Sequence, residues 1–145
     1  MLIADRIQDP GNLGSIIRLA HAFACHAVIL LKGSVDPLNE KVIRASMGAV
    51  FHIPLILCDE DRLIKLLAER DIPLLVTTTA ISTAVWEIQE REAWALVIGN
   101  EGAGVSAGLT EAARQLLYIP MPGAAESLNA ATACAITLYE LNRCP

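Results

Sequence analysis

Short, uninterrupted apolar runs recur along the chain at residues 2–4, 27–31, 53–57, 73–76, 94–98 and 116–119. They are too short for helices and rich in Leu, Ile and Val. Continuous rather than alternating apolar character suits strands covered on both faces, which is the situation in a parallel sheet between layers of helix. Helical periodicity fills the gaps. Leu13, Ile16, Ile17 and Ala20 follow the i, i+3, i+4, i+7 rule, and Leu63, Leu66 and Leu67 repeat it within 59–70, where Asp59 is placed to cap. Residues 40–47 and 109–115 carry weaker helical patterns, and 77–92 matches no element. This alternation predicts a single α/β domain with a largely parallel six-stranded sheet and helices on both faces.

The last helical pattern, 129–141, is apolar on nearly every face. Such a helix is expected to be buried. Its polar start, Glu126-Ser127-Leu128-Asn129, is then held at the edge of a core where a ligand has access.

Composition narrows the function. Hydrophobic residues make up 54% and charged residues 19%, which gives a packed core rather than a disordered chain. A net charge of −5 and a pI near 5.1 argue against a free-standing nucleic-acid binder driven by charge. Arg6, Arg18, Lys32, Lys41 and Arg44 supply at most one modest basic patch. Cys25, Cys58, Cys134 and Cys144 have no C-x-x-C spacing and form no metal-ligand pattern with His21, His26 and His52, so no metal is expected. Reduced thiols and the lack of a signal or membrane-length run point to a cytoplasmic protein.

Loops that follow parallel strands emerge at one edge of the sheet, where ligands bind. Three polar loops rich in Gly or Pro fall in such positions: 9–14, 99–104 and 120–127. Each has a plain reading. Asn12 suits a helix cap, Gly11 and Gly14 suit a tight turn, Arg18 shares a solvated stripe with Ser15 and His21, and Ser127 and Asn129 are both good N-caps. Together, an Arg, a Glu, a Ser and two Asn at one edge exceed what turns require. Gly11-Asn12-Leu13-Gly14 is not G-x-G-x-x-G and no acidic residue ends the next strand, so a Rossmann-type oxidoreductase is weakly supported. No Walker lysine and no G-x-S-x-G elbow is present.

Three motifs in order resemble those of the SpoU (TrmH-like) RNA methyltransferases, of the SPOUT superfamily. They are Asp9-Pro10-Gly11-Asn12-Leu13-Gly14-Ser15-Ile16-Ile17-Arg18, then Ile98-Gly99-Asn100-Glu101-Gly102-Ala103-Gly104-Val105-Ser106, then Ile119-Pro120-Met121 through Glu126-Ser127-Leu128-Asn129. The resemblance spans nearly the whole chain. It implies a C-terminal trefoil knot, a homodimer, and an S-adenosylmethionine pocket lined by Gly99, Ile119 and Leu128. It further implies a catalytic edge of Asn12, Arg18, Glu101, Ser127 and Asn129, and methyl transfer to a ribose 2′-hydroxyl of rRNA or tRNA. Arg18 is the residue it points to for activating the hydroxyl; a guanidinium stays charged, so gripping the adjacent phosphate and polarising the hydroxyl is the expected role. Little chain precedes Leu2, and the expectation is a catalytic domain over residues 1–145 without the N-terminal substrate-binding domain common in the family. The alternative is a non-catalytic cofactor- or RNA-binding module of the same fold.

Overall fold

The structure, a computed structural model, describes residues 1–88 and 92–143. Cys144 lies outside the described residues. The apolar runs form the strands β1 (Leu2–Ala4), β2 (Val28–Leu31), β3 (Leu55–Cys58), β4 (Leu74–Thr77), β6 (Ala95–Ile98) and β7 (Gln115–Tyr118). A further two-residue strand, β5 (Thr83–Ala84), makes the sheet seven-stranded rather than six-stranded. It falls in the stretch 77–92 that has no readable period, and two residues are too few to produce one. The order is β3-β2-β1-β6-β4-β7-β5, with every pairing parallel.

Five α-helices flank the described sheet: α1 (Pro10–Ala22), α2 (Glu40–Ala45), α3 (Glu60–Glu69), α4 (Ala107–Glu111) and α5 (Ala130–Asn142). Successive strand residues point to opposite faces, and the core divides accordingly. Leu2, Ala4, Leu30, Leu96 and Ile98 pack with Leu13, Ile16 and Ile17 of α1 and Leu138 of α5. Ile3, Ile29, Val76 and Val97 pack on the other face with Leu63 and Leu67 of α3 and Leu109 of α4. Helices therefore cover both faces. Each fully buried Leu or Ile contributes up to about 1.5–3 kcal/mol.

Three local expectations give way to tertiary context. Leu57 on the edge strand β3 is 77% exposed, so that strand is not covered on both faces. The helix expected at 109–115 starts and ends earlier, at Ala107–Glu111, because Gln115 already starts β7. Helix α5 is not wholly buried. Ala130, Cys134, Thr137, Leu138 and Leu141 face the core, whereas Thr132 and Tyr139 are exposed and Ala135 and Ile136 only half-buried.

Glycine 14 has a different purpose from the turn its sequence context suggests. It lies inside α1, where a Cβ would come within 2.5 Å of the Ala45 Cβ and 2.7 Å of the Val42 carbonyl oxygen. The missing side chain lets α1 and α2 pack closely.

Candidate active site

All three polar loops emerge at the carboxyl edge of the sheet, behind β1, β6 and β7. Helix α1 begins at once after the first. Asp9 is its N-cap, Pro10 takes the first helical position, and the Asp9 carboxylate accepts from the Asn12 amide at 2.7 Å. Asn12 thus sits in the first turn of the helix, not ahead of it, with its side chain turned to the other loops.

The side chains of the three loops join in one chain of hydrogen bonds. Asn129 Nδ2 donates to Asn12 Oδ1 at 2.7 Å, and Asn12 Nδ2 donates to Glu101 Oε1 at 2.7 Å. Asn129 is also the N-cap of α5, its Oδ1 accepting from the amides of Ala131 at 2.9 Å and Thr132 at 3.3 Å. Ser127, the other candidate cap, does not take that place. One asparagine therefore fixes the start of α5 and ties it to α1, and Asn12 passes the tie to the loop after β6. Asn12 is buried; Glu101 and Asn129 are exposed at its two sides.

Beside this relay lies a cavity of about 490 Å³. Gly99, Ile119 and Leu128 line it, as do Glu101 and Ser127. Asn12, Asn129 and Arg18 do not. Glycine is required at 99, where a Cβ would come within 2.5 Å of the Gly104 carbonyl carbon and of the Val105 nitrogen. The close approach is to the loop's own returning strand, Asn100 and Gly104 bonding to each other through both backbone groups at 3.0 and 3.1 Å.

Met121 and Glu126 of the third motif also line the cavity, as do Thr77, Thr78 and Thr79, which sequence reasoning did not single out. Thr77 ends β4 and Thr78 and Thr79 follow it; β4 lies between β6 and β7, so the loop after it had to open on the same cavity, and strand order, unreadable from sequence, is what places them. Thr77 Oγ1 is committed to the Val97 carbonyl at 2.9 Å.

The electrostatics of the cavity are one-sided. Glu101 and Glu126 line it, and among the described residues no Lys, Arg or His does. A pyrophosphate needs N–H-rich or cationic surroundings; a ligand carrying positive charge suits this one. Apolar Ile119, Leu117, Met121 and Leu128 offer a surface for a flat, weakly polar group.

Arg18 stands apart from the relay. It is six residues beyond Asn12 on α1, about 9 Å along the axis and about 120° around it. Its side chain is exposed, with no hydrogen bond or ion pair among the described residues. Among the described residues no group of three His, Cys, Asp or Glu is arranged to hold a metal ion, and no helix is long and apolar enough to cross a membrane.

Comparison with known proteins agrees with this geometry. Residues 1–139 match the model of the SpoU rRNA Methylase family. The chain is 41% identical over 141 residues to the 23S rRNA (guanosine(2553)-2′-O)-methyltransferase RlmP of Bacillus subtilis, covering 97% of this chain and 57% of that one. The SpoU methyltransferase AviRb of Streptomyces viridochromogenes, solved in complex with AdoMet, superposes with a TM-score of 0.89 at 33% identity, covering 97% of this chain and 58% of that one. A structure described as giving insight into 2-OH methylation of C/U34 on tRNA matches with a TM-score of 0.82 at 27% identity, covering 97% of this chain and 91% of that one. The chain thus spans little more than half the length of the curated RlmP relative. A family match over nearly the whole length, on a fold shared at these scores, establishes that the chain belongs to the SpoU rRNA Methylase family.

Proposed function

We propose that this chain is the catalytic domain of an RNA 2′-O-ribose methyltransferase that uses S-adenosylmethionine and acts on ribosomal or transfer RNA. The observation that carries the reading is the Asn129–Asn12–Glu101 relay at the border of a cavity whose charged lining, among the described residues, is acidic. S-adenosylmethionine carries a sulfonium and an ammonium against one carboxylate, so its net charge complements Glu101 and Glu126. When bound, it supplies an already activated methyl group.

The protein's share is placement and help with the proton. Gly99, Ile119 and Leu128 hold the cofactor, largely through backbone groups. Asn12 and Glu101 orient the target ribose, while Ser127 and Asn129 fix the loop on which the substrate rests. Arg18 grips the phosphate beside the target nucleotide and polarises the 2′-hydroxyl. Alignment of this kind supplies much of the barrier reduction, and help with the proton adds about 10²–10⁴-fold.

The functional unit is a homodimer, with Arg18 serving the partner's cavity. Two observations support this. Arg18 does not line the cavity of its own chain. On α5, Ala135 is half-buried and Ile136 packs against the core, while Tyr139 beside them is 58% exposed. An exposed large aromatic side chain on a helix otherwise packed on the core is a surface for another helix. The trefoil threading implied for α5 and a cytoplasmic location belong to the same reading.

Calorimetric titration with S-adenosylmethionine, then methyl transfer from labelled cofactor to bulk rRNA and tRNA with nucleoside analysis, tests it. Saturable binding with label on ribose oxygen is expected. Label on bases, or no cofactor binding, overturns it; binding without turnover on any RNA supports a non-catalytic module instead.

A further inference from the structure

The segment 99–105 lines the cavity throughout its length. Its local shape is set from within. Asn100 Oδ1 accepts from the amides of Gly102 at 2.9 Å and Ala103 at 2.8 Å. Besides the Glu101–Asn12 bond, it is attached through two residues just after β1 that do not line the cavity and take no part in the relay.

Those residues are Asp5 and Arg6. Asp5 is 1% exposed, its amide donating to the Ile98 carbonyl at 2.9 Å. A buried carboxylate is costly unless its oxygens are bonded. Here three donors converge on it: Arg6 Nε at 2.9 Å, Arg6 Nη2 at 3.1 Å and the Ser106 amide at 2.7 Å. Arg6 Nη2 also donates to the Gly104 carbonyl at 3.2 Å, and the Arg6 carbonyl accepts from Asn100 Nδ2 at 2.8 Å. The Arg6 backbone is left-handed, with φ 55°, a conformation that non-glycine residues keep only when the surroundings enforce it. The loop is thus gripped at its start through Asn100, near its end through Gly104 and Ser106, and all three contacts run through one adjacent acid–base pair.

We propose that Asp5 and Arg6 are positioning residues that clamp the 99–106 loop in its cavity-forming shape and thereby set the affinity for the cofactor. This rests on the methyltransferase reading above. A guanidinium is required, because one planar group reaches both carboxylate oxygens and the Gly104 carbonyl together. A lysine offers one nitrogen and reaches fewer of these partners. Glu101 keeps its separate bond to Asn12, so the clamp governs cofactor binding more than turnover.

The test uses the full chain with Arg6→Ala and Arg6→Lys. The expected result is an S-adenosylmethionine Kd raised about tenfold or more in Arg6→Ala, less in Arg6→Lys. The cofactor KM moves with it, while kcat at saturating cofactor stays within about threefold. Ser106→Pro provides a second route: the backbone there, φ −59° and ψ 153°, suits proline, and the change removes the N–H that Asp5 accepts. It is expected to weaken cofactor binding in the same direction. A folded Arg6→Ala or Ser106→Pro protein with wild-type Kd, or a loss confined to kcat, overturns the clamp. Amide exchange of 99–106 without ligand separates this inference from the one beneath it. Faster exchange there in Arg6→Ala, with β6 unchanged, supports the clamp even where wild type binds no S-adenosylmethionine, a result that would overturn the methyltransferase reading alone. Unchanged loop exchange overturns the clamp whatever the cofactor does.

Discussion

Asn12 and Asn129 lie 117 positions apart and are joined by a 2.7 Å hydrogen bond between their side-chain amides. Because Asn12 also donates to Glu101 at 2.7 Å, a single buried amide holds three widely separated loops in register. Asn12→Ala removes both side-chain hydrogen bonds and is expected to cost about 1–3 kcal/mol of stability. Asn12→Asp is expected to cost more at neutral pH, since a second carboxylate then faces Glu101. Like-charge proximity raises the carboxyl pKa in the folded state, so the stability lost as pH rises returns as pH falls. Urea midpoints of both variants, compared at about pH 5 and about pH 8, check the order and the direction.

Gly14→Ala and Gly99→Ala introduce the same methyl group with different consequences. Both meet backbone or Cβ atoms at 2.5 Å, and overpacking of this kind costs about 1–3 kcal/mol. Gly14 sits between α1 and α2, away from the cavity lining, whereas Gly99 is part of it. Denaturation is expected to register both changes. A calorimetric titration with S-adenosylmethionine is expected to register a large loss, about tenfold or more, for Gly99→Ala only.

Arg18→Ala is expected to leave the urea midpoint unchanged within error, since the side chain is exposed and makes no bond among the described residues. Methyl transfer is expected to fall about a hundredfold or more. Mixed dimers of Arg18→Ala chains with chains disabled at Gly99 check the cross-subunit role. Recovery of activity at roughly one functional site per mixed dimer is expected, and no recovery contradicts it.

The thiols report on burial. Desolvation pushes the Cys25 and Cys134 thiols up from their ordinary value, and Cys134 is fully buried. Since the thiolate is the reactive form, Cys134 is expected to alkylate only after unfolding and Cys25 slowly. Mass spectrometry of protein treated with iodoacetamide at about pH 8, with and without urea, reads the difference; native labelling of Cys134 at the unfolded rate contradicts the packing of α5 against α1.

The sequence by itself determined the strands, most helices and the gathering of the three polar loops, because apolar period and run length are local consequences of how a chain buries its surface. It also carried Gly99, Ile119 and Leu128, which do line one cavity. Tertiary structure decided the rest. Strand order brought Thr77–Thr78–Thr79 to that cavity, and the two-residue β5 exists only because β7 offers it an edge. Contact between α1 and α2, not turn geometry, explains Gly14. Asp5 and Arg6 look like any acid and base at a strand end until their bonds to Ser106 and Gly104 are seen. Helix α5 reads as uniformly apolar, and only the packed molecule separates the face on its own core from Thr132 and Tyr139, which are left exposed. Local pattern records how each segment meets solvent; which distant segment it meets instead is fixed only when the chain closes on itself.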